Sequence, residues 1–475
     1  SFRASFSLRG LRMELESIDV VEVNNKNVNR LWPSMLLSIR KATLIAIDLE
    51  LSGLGCPRGR QSPGLPARYE SLREAASTRS VLSLGVALFE QLPSKKNKRL
   101  RFHCQVFNVL TLCSSPFTIE PDALQFLAAH SFDFNRLIHH GIPYERSAIS
   151  KKECCIRSLV TELLGASVPL AVHNGLVDLA FLFSHFYSEL PSSLPAFLSD
   201  LTDLFPPDSC PVIDSKFLAE FHSRLPSSYL EYVYRRCHRE NALEANEGRV
   251  HIKFSFDYSG YCMEEGELES SPCGLPAGFP NQPLACTGDE LCAQFASHGF
   301  CRKRRTCKLV HDVDAVLDWE RVKQEKERAR RKRRRESYAQ PKGSESLPDK
   351  DERSTLQPGT NGASTQQDTL NSNGGRRASV SGSHRAGADA FMTGVAVLVQ
   401  LRMFLQKRSG PDEPFWPAEL VNRLPLGGKP HPLHIDSSSF VQSSSNHLDS
   451  FMLIQAARRK TQLAKEARSS LFQTP

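Results

Sequence analysis

The sequence predicts an α/β fold, a mixed sheet with flanking helices, on three observations. Apolar, β-rich runs at Thr43–Leu49, Val81–Phe89 and Leu100–Phe107 come first, the last two joined by a polar loop as in an antiparallel hairpin. Helix-like segments then alternate with short strands at Pro169–His173 and Val212–Asp214, the pattern of a layered α/β or α+β domain. After Glu240 the composition shifts to Pro, Gly, Ser and Cys, and an apolar helical stretch returns only at Ala388–Lys407. A lone helix of that kind cannot bury its face unaided. It is expected to dock back on the first domain across a long insertion.

Element by element, residues 1–40 carry no strong period and read as an N-terminal extension, with Ile18–Val23 suited to a short strand and Val28–Arg40 to a helix. The first ten residues lack acids and read equally as a transit peptide or a misassigned start. Thr43–Leu49 suits a buried strand, Ser52–Pro66 a Gly- and Pro-rich loop, and Ala67–Ser77 a helix. Further helices are expected at Pro121–His130, Phe134–His140, Cys155–Leu164, Gly175–Phe186 and Ser215–Ser223. The boundaries that follow are a first core part over 41–240, a linker over 241–283 and a Cys/His-rich unit over 284–314. A basic segment covers 315–336, a disordered linker 337–383, a second core part 384–407, and a mostly disordered tail 408–475.

Bulk composition narrows the class. A chain of 475 residues implies two or more domains, and 40% hydrophobic residues suffice for a sizeable core. The formal charge of +8 is concentrated: Arg321–Arg335 holds ten Lys or Arg against two Glu, which equals the whole excess. Thirteen cysteines are too sparse for a disulfide scaffold, and the odd count fits a reducing compartment. No run approaches the eighteen apolar residues of a membrane span, so a soluble protein is expected.

Asp48 and Glu50 end the first buried run as Asp-Leu-Glu, and residues two apart on a strand point to the same face. Two aimed carboxylates repel and resist desolvation unless a cation lies between them. Asp178 in His-Asn-Gly-Leu-Val-Asp, and His384 and Asp389 in His-Arg-Ala-Gly-Ala-Asp, extend the set. Four carboxylates suit two Mg²⁺ ions, which prefer hard oxygen ligands, in two-metal phosphodiester hydrolysis. His384, whose ordinary pKa is near neutral, suits a base that takes the proton from the attacking water. Singly, an Asp-x-Glu is usually an exposed strand end and a His-x-x-x-x-Asp is chance; together, in this order, chance is a poor account.

These segments, Ile45–Leu54, Ala171–Phe181 and His384–Gly394, resemble the DEDD 3′–5′ exonucleases with a terminal His, in particular the poly(A)-specific ribonuclease deadenylases. Arg79–Gly85, Gly141–Tyr144 and Ser228–Tyr232 are similar too, and the likeness covers most of 40–335 and 384–407. The resemblance implies a ribonuclease H-like exonuclease fold and removal of 3′ adenosines with release of 5′-AMP. It also implies processing of small nuclear and other non-coding RNA tails in nuclear bodies: Cajal bodies, nucleolus or speckles. By position, Asp48, Glu50, Asp178 and Asp389 would bind metal and His384 would be the base. Ser52, Gly53, His173 and Asn174 are candidate substrate contacts, with capping or turn roles about as apt.

Cys292, Cys301, Cys307 and His311 follow the spacing of a CCCH zinc finger, three thiolates and an imidazole closing on one tetrahedral Zn²⁺. Phe295 and Phe300 could stack on bases while Arg302, Lys303, Arg304, Arg305 and Lys308 meet phosphates. The alternatives are that both Phe form the finger's small core, or that the finger binds protein. Arg328, Arg330, Arg331, Lys332, Arg333, Arg334 and Arg335 form a nuclear-import type run, or a solvated helix face, or an RNA tether. The expected partners are RNA with 3′ oligo(A), nuclear RNA-processing proteins and import receptors, with a homo-oligomer left open. Two rival readings remain: an RNA-binding adaptor with a silent nuclease fold, and a DNA exonuclease of the same fold.

Overall fold

The computed structural model describes residues 17–94, 98–147, 154–258, 270–275, 288–303, 306–339, 385–408, 413–437, 440–441 and 443–471. The chain begins with β1 (Ser17–Val23), α1 (Val28–Lys41), β2 (Leu44–Leu51), α2 (Pro57–Arg60), α3 (Leu65–Thr78), β3 (Val81–Leu92) and β4 (Arg99–Cys113). Next come α4 (Pro121–Ala129), α5 (Phe134–His140), β5 (Ile142–Tyr144), α6 (Cys155–Gly165), β6 (Leu170–Val172), α7 (Leu176–Leu182) and α8 (Leu194–Leu204). Then follow β7 (Val212–Asp214), α9 (Ser215–Phe217), α10 (Leu230–Asn246), β8 (His251–Phe256), β9 (Ser270–Gly274), α11 (Ala293–His298) and α12 (Val313–Ala339). Last are α13 (Ala386–Gln400), α14 (Arg402–Lys407), β10 (Arg423–Leu424), β11 (Leu433–His434) and α15 (Ser445–Leu471).

The main sheet runs β7-β6-β2-β3-β4-β1-β9, with β5 and β8 also on β4. The β2, β3 and β4 strands form an antiparallel meander, while β6 and β7 extend it in parallel beyond β2. The mixture follows from the connections, since a short loop joins β3 to β4 whereas helices must carry the chain back between parallel strands. Buried on both faces, β2 alternates between two cores. Ile45, Ile47, Leu49 and Leu51 face the helical layer that includes α1, α3, α6, α7 and α8. Leu44 and Ala46 face α10 and α13. Asp48 and Glu50 share the parity of Leu44 and Ala46, so the pleat alone sends both toward α13.

Ala386 to Val399 in α13 are all buried. The helix lies against β2 and β3, and its start comes so near the sheet that a Cβ on Gly85 would sit 1.9 Å from the Ala386 carbonyl oxygen. Only glycine fits there. Gly387 is held likewise, 2.9 Å from the Phe107 carbonyl oxygen for an added Cβ.

Three expected boundaries differ from the structure. Residues 17–40 are no mere extension, because β1 lies between β4 and β9 in the sheet. The 241–283 linker contributes β8, parallel to the start of β4, and β9, antiparallel to β1. Ser and Pro signal loops, yet an open strand edge offers unpaired amides and carbonyls that even Ser-Ser-Pro-Cys-Gly can satisfy. The tail expected to be mostly disordered over 408–475 is ordered over much of its length. Val212 and Asn422 exchange backbone and side-chain bonds on the β7 edge, and α15 packs against α6 with Ala457 over Gly165. The disordered linker expected over 337–383 lies outside the described residues from 340 on, and residues 337–339 end α12. No helix among the described residues is long and apolar enough to cross a membrane.

Candidate active site

β2 and α13 deliver three carboxylates to one place. Oxygens of Asp48, Glu50 and Asp389 lie within 4.8 Å of one another. Asp48 stands opposite Gly85 in the β2–β3 ladder, the residue whose missing side chain lets α13 approach. Asp389 sits in the first turn of α13, and its amide bonds the Arg385 carbonyl at 3.0 Å. The unpaired amides of that turn favour a negative side chain.

Asp178 is adjacent but outside the 4.8 Å set. It occupies the first turn of α7 and accepts from the amide of Leu49, which β6 leaves unpaired because it bonds β2 only at Ile45 and Ala46. Burial pushes the Asp178 carboxyl up to about 7 despite that bond. Asp48 stands well above the usual carboxylate value, through burial first and then the charges of Asp389, Asp178 and Glu50. Carboxylates this close, with the proton affinity of Asp48 and Asp178 raised, form a donor set that a divalent cation fits. His384 lies outside the described residues.

The other candidates are distributed unevenly. Ser52 is buried and its hydroxyl works internally, donating to the Thr118 carbonyl at 2.7 Å and accepting from the Ser80 amide at 2.9 Å. Gly53 is buried too, with the Glu120 side chain 2.5 Å from where a Cβ would be. The Ser52 hydroxyl is thus engaged within the loop, and the space beside Gly53 is filled by Glu120, as a loop this near an apolar core must satisfy its own polar groups. His173 hydrogen-bonds the Ser215 hydroxyl at 2.8 Å, and burial, then Lys216, lowers its pKa to about 3. Asn174 is exposed with φ of 59°.

Three groups hold this architecture that the sequence reading did not single out. Asp214 accepts from the amides of Asn174, Gly175, Lys216 and Phe217, which shapes the turn leading to Asp178. An Asp between a strand and a helix start was the available signal. Glu120 accepts from the amides of Leu54 and Gly55 and pairs with Arg79, pinning the loop after Glu50. Arg385 bonds the buried Glu22 of β1 at 3.2 Å, and Glu22 also accepts from Asn108 at 3.0 Å. The segment expected to be an extension therefore anchors the start of α13.

A second cluster forms from Cys292, Cys301, Cys307 and His311, whose ligand atoms also lie within 4.8 Å of one another. His311 Nε2 is buried without a hydrogen-bond partner. Burial opposes ionisation of Cys292, yet bonds from the Phe295 amide, Cys301 and Cys307 outweigh it and lower its pKa. The cluster is fastened to the core: Ser227 donates to the Ala296 carbonyl at 2.7 Å, and Phe295 packs between His311 and Tyr229. Phe295 is thus taken up by packing and is not a free base-stacking ring. Phe300 is 57% exposed, Arg302, Lys303 and Lys308 are exposed, and Arg304 and Arg305 lie outside the described residues.

Among curated proteins the chain is similar to poly(A)-specific ribonuclease PNLDC1 of Mus musculus, 26% identical over 119 residues, 23% of this chain and 22% of that one. It is similar also to poly(A)-specific ribonuclease PARN of Danio rerio, 27% identical over 154 residues, 30% of this chain and 23% of that one. The chain thus spans under a quarter of the length of either relative. Among solved structures, the Mg²⁺- and Mn²⁺-bound form of S. pombe Pop2p is similar at 16% identity and a TM-score of 0.36, over 46% of this chain and 81% of that one. The profile of the CAF1 family ribonucleases matches residues 23–153 and 145–397, taking in β2, α7 and α13 with the carboxylates they carry. The chain belongs to the CAF1 family of ribonucleases.

Proposed function

We propose that the chain is a metal-dependent 3′–5′ exoribonuclease of ribonuclease H-like fold that trims 3′ oligo(A) tails, of small nuclear and other non-coding RNAs, releasing 5′-AMP. The convergence of Asp48, Glu50 and Asp389 beneath α13, with Asp178 beside them, carries this reading. The four carboxylates would hold two Mg²⁺, which supply charge neutralisation at the phosphate and a more acidic water. The pleat of β2 directs Asp48 and Glu50 to the same face, so the strand itself pre-aims both at the site. Glu120 fixes the backbone that follows them, and Asp214 fixes the turn before Asp178. His384, next to the anchored Arg385, takes the proton from the attacking water at an imidazole nitrogen.

Cys292, Cys301, Cys307 and His311 suit Zn²⁺, with three sulfurs and a buried unpartnered nitrogen as donors, and make a CCCH finger. Phe300, Arg302, Lys303 and Lys308 are its exposed groups for single-stranded RNA. The run Arg328–Arg335 serves nuclear import, which puts the enzyme in the nucleus, including nucleolus, Cajal bodies or speckles.

The test is one labelled RNA and one DNA, each with 3′ oligo(A), incubated with Mg²⁺ or EDTA. Stepwise loss of adenosines from RNA alone, abolished by EDTA and by Asp48→Ala, is expected. Binding without trimming would make the protein an adaptor, and trimming of DNA would make it a DNA exonuclease.

A further inference from the structure

The helix α12 leaves the body of the protein as a fastened, charged rod. At its root Asp314 accepts from the wholly buried Arg235 at 2.8 and 3.1 Å, Arg239 reaches both Asp314 and Asp318, and Tyr232 donates to Glu320 at 2.6 Å. Val313, Ala315, Val316 and Leu317 are buried beneath these pairs. From Val322 to Arg335 every residue is exposed. That stretch holds nine Lys or Arg against Glu325 and Glu327, over about 21 Å of helix.

Such a helix opposes itself. Arg330 with Arg334, and Arg331 with Arg335, are like charges one turn apart, which disfavours the helical state. The rigid root that Arg235 and Arg239 give the helix goes beyond what an import role of the same run requires. A polyanion lying along the helix removes the repulsion and profits from the fixed geometry. The root also sits away from the carboxylates. Cys237 of α10 abuts the Ala396 carbonyl and Glu240 pairs with Arg402, seven and thirteen residues beyond Asp389, about 10 to 20 Å along the helix direction.

We propose that α12 beyond Glu320 is an ordered binding surface for the phosphate backbone of RNA, gripping the body of the molecule whose 3′ end lies at the carboxylate site. The proposal rests on the ribonuclease reading and adds a second contact to it. A substrate with a structured body then binds more tightly, and with steeper salt dependence, than a bare oligo(A).

The experiment measures Kd against salt for the full chain carrying Asp48→Asn, with a stem-loop RNA bearing a ten-adenosine tail and with a six-adenosine oligomer. Arg330→Gln, Arg331→Gln, Arg334→Gln and Arg335→Gln are then combined, since Gln keeps the helix while removing four charges. The stem-loop salt slope should fall by about 3 to 4, and the ratio of stem-loop Kd to oligomer Kd should rise at least tenfold. An unchanged slope and ratio, including the case in which only binding to an import receptor is lost, overturns the proposal. Ala329→Pro retains every charge but breaks the rod. It should weaken stem-loop binding several-fold, and parental affinity would overturn the ordered surface. Whether the parent trims at all is read separately on a gel, so failure of the ribonuclease reading is distinguishable from failure of this one.

Discussion

Asp48 and Asp178 work against the stability of the metal-free protein. The folded pKa of Asp178, about 7, lies above the ordinary carboxylate value, so the folded state holds a proton that the unfolded state has released. Its contribution is therefore least favourable above pH 7 and recovers as pH falls toward 4. We expect Asp178→Asn to raise the Tm of EDTA-treated protein at pH 8 and to leave it unchanged near pH 4, with activity lost throughout. A thermal melt at both pH values checks the sign; stabilisation at pH 4 alone would contradict it. Ser52 makes a different prediction at the same scale. Ser52→Ala removes two internal bonds and should lower stability by about 1 to 3 kcal/mol in denaturant unfolding. Oligo(A) affinity of the folded fraction should stay parental.

Among the elements, α13 has the most demanding fit. Gly85→Ala would drive a methyl group into the Ala386 carbonyl, and the helix must shift bodily to receive it. A loss of about 1 to 3 kcal/mol of stability is expected, with kcat falling by tenfold or more because Asp389 moves with the helix. Stopped-flow trimming beside a urea melt separates the two effects. The Glu22–Arg385 pair should behave otherwise: Arg385→Ala leaves the buried carboxylate of Glu22 with Asn108 and should lower kcat more than it raises KM. The helix itself was legible, because fourteen consecutive buried positions leave an unmistakable apolar run. Its anchor was not, because Glu22 and Arg385 are 363 residues apart and nothing local marks either as paired. The pleat likewise made Asp48 and Glu50 legible together; Asp214 left only the signal of an Asp between a strand and a helix start, while Glu120 acts through backbone amides distant in sequence that leave no pattern.

For the whole molecule, the chain after residue 408 closes what the first domain leaves open. Asn422, at φ of 53°, accepts from the Val212 amide and donates to the Phe205 carbonyl, so it occupies the free edge of β7. His447 is buried between Tyr187 and Asp203, which ties α15 to the nuclease layer. Deleting residues 409–475 should lower Tm markedly and expose an aggregation-prone strand edge, measured by melting and light scattering. A polar composition hid this order, since the segment's apolar groups are scattered, among them Phe415, Leu420, Leu424, Leu433, Ile435 and Ile454, and join cores built elsewhere.

The late arrival of α13 also sets a timetable. Ribosomes add about 5 to 20 residues per second, so roughly 7 to 30 seconds separate the synthesis of α10 from that of Asp389. Through that interval the face of β2 and β3 that α13 will cover stands bare, apolar and unable to assemble the site. A nascent chain in this state should engage holdase chaperones, and release of nuclease activity should trail the emergence of residue 400 rather than the completion of the sheet.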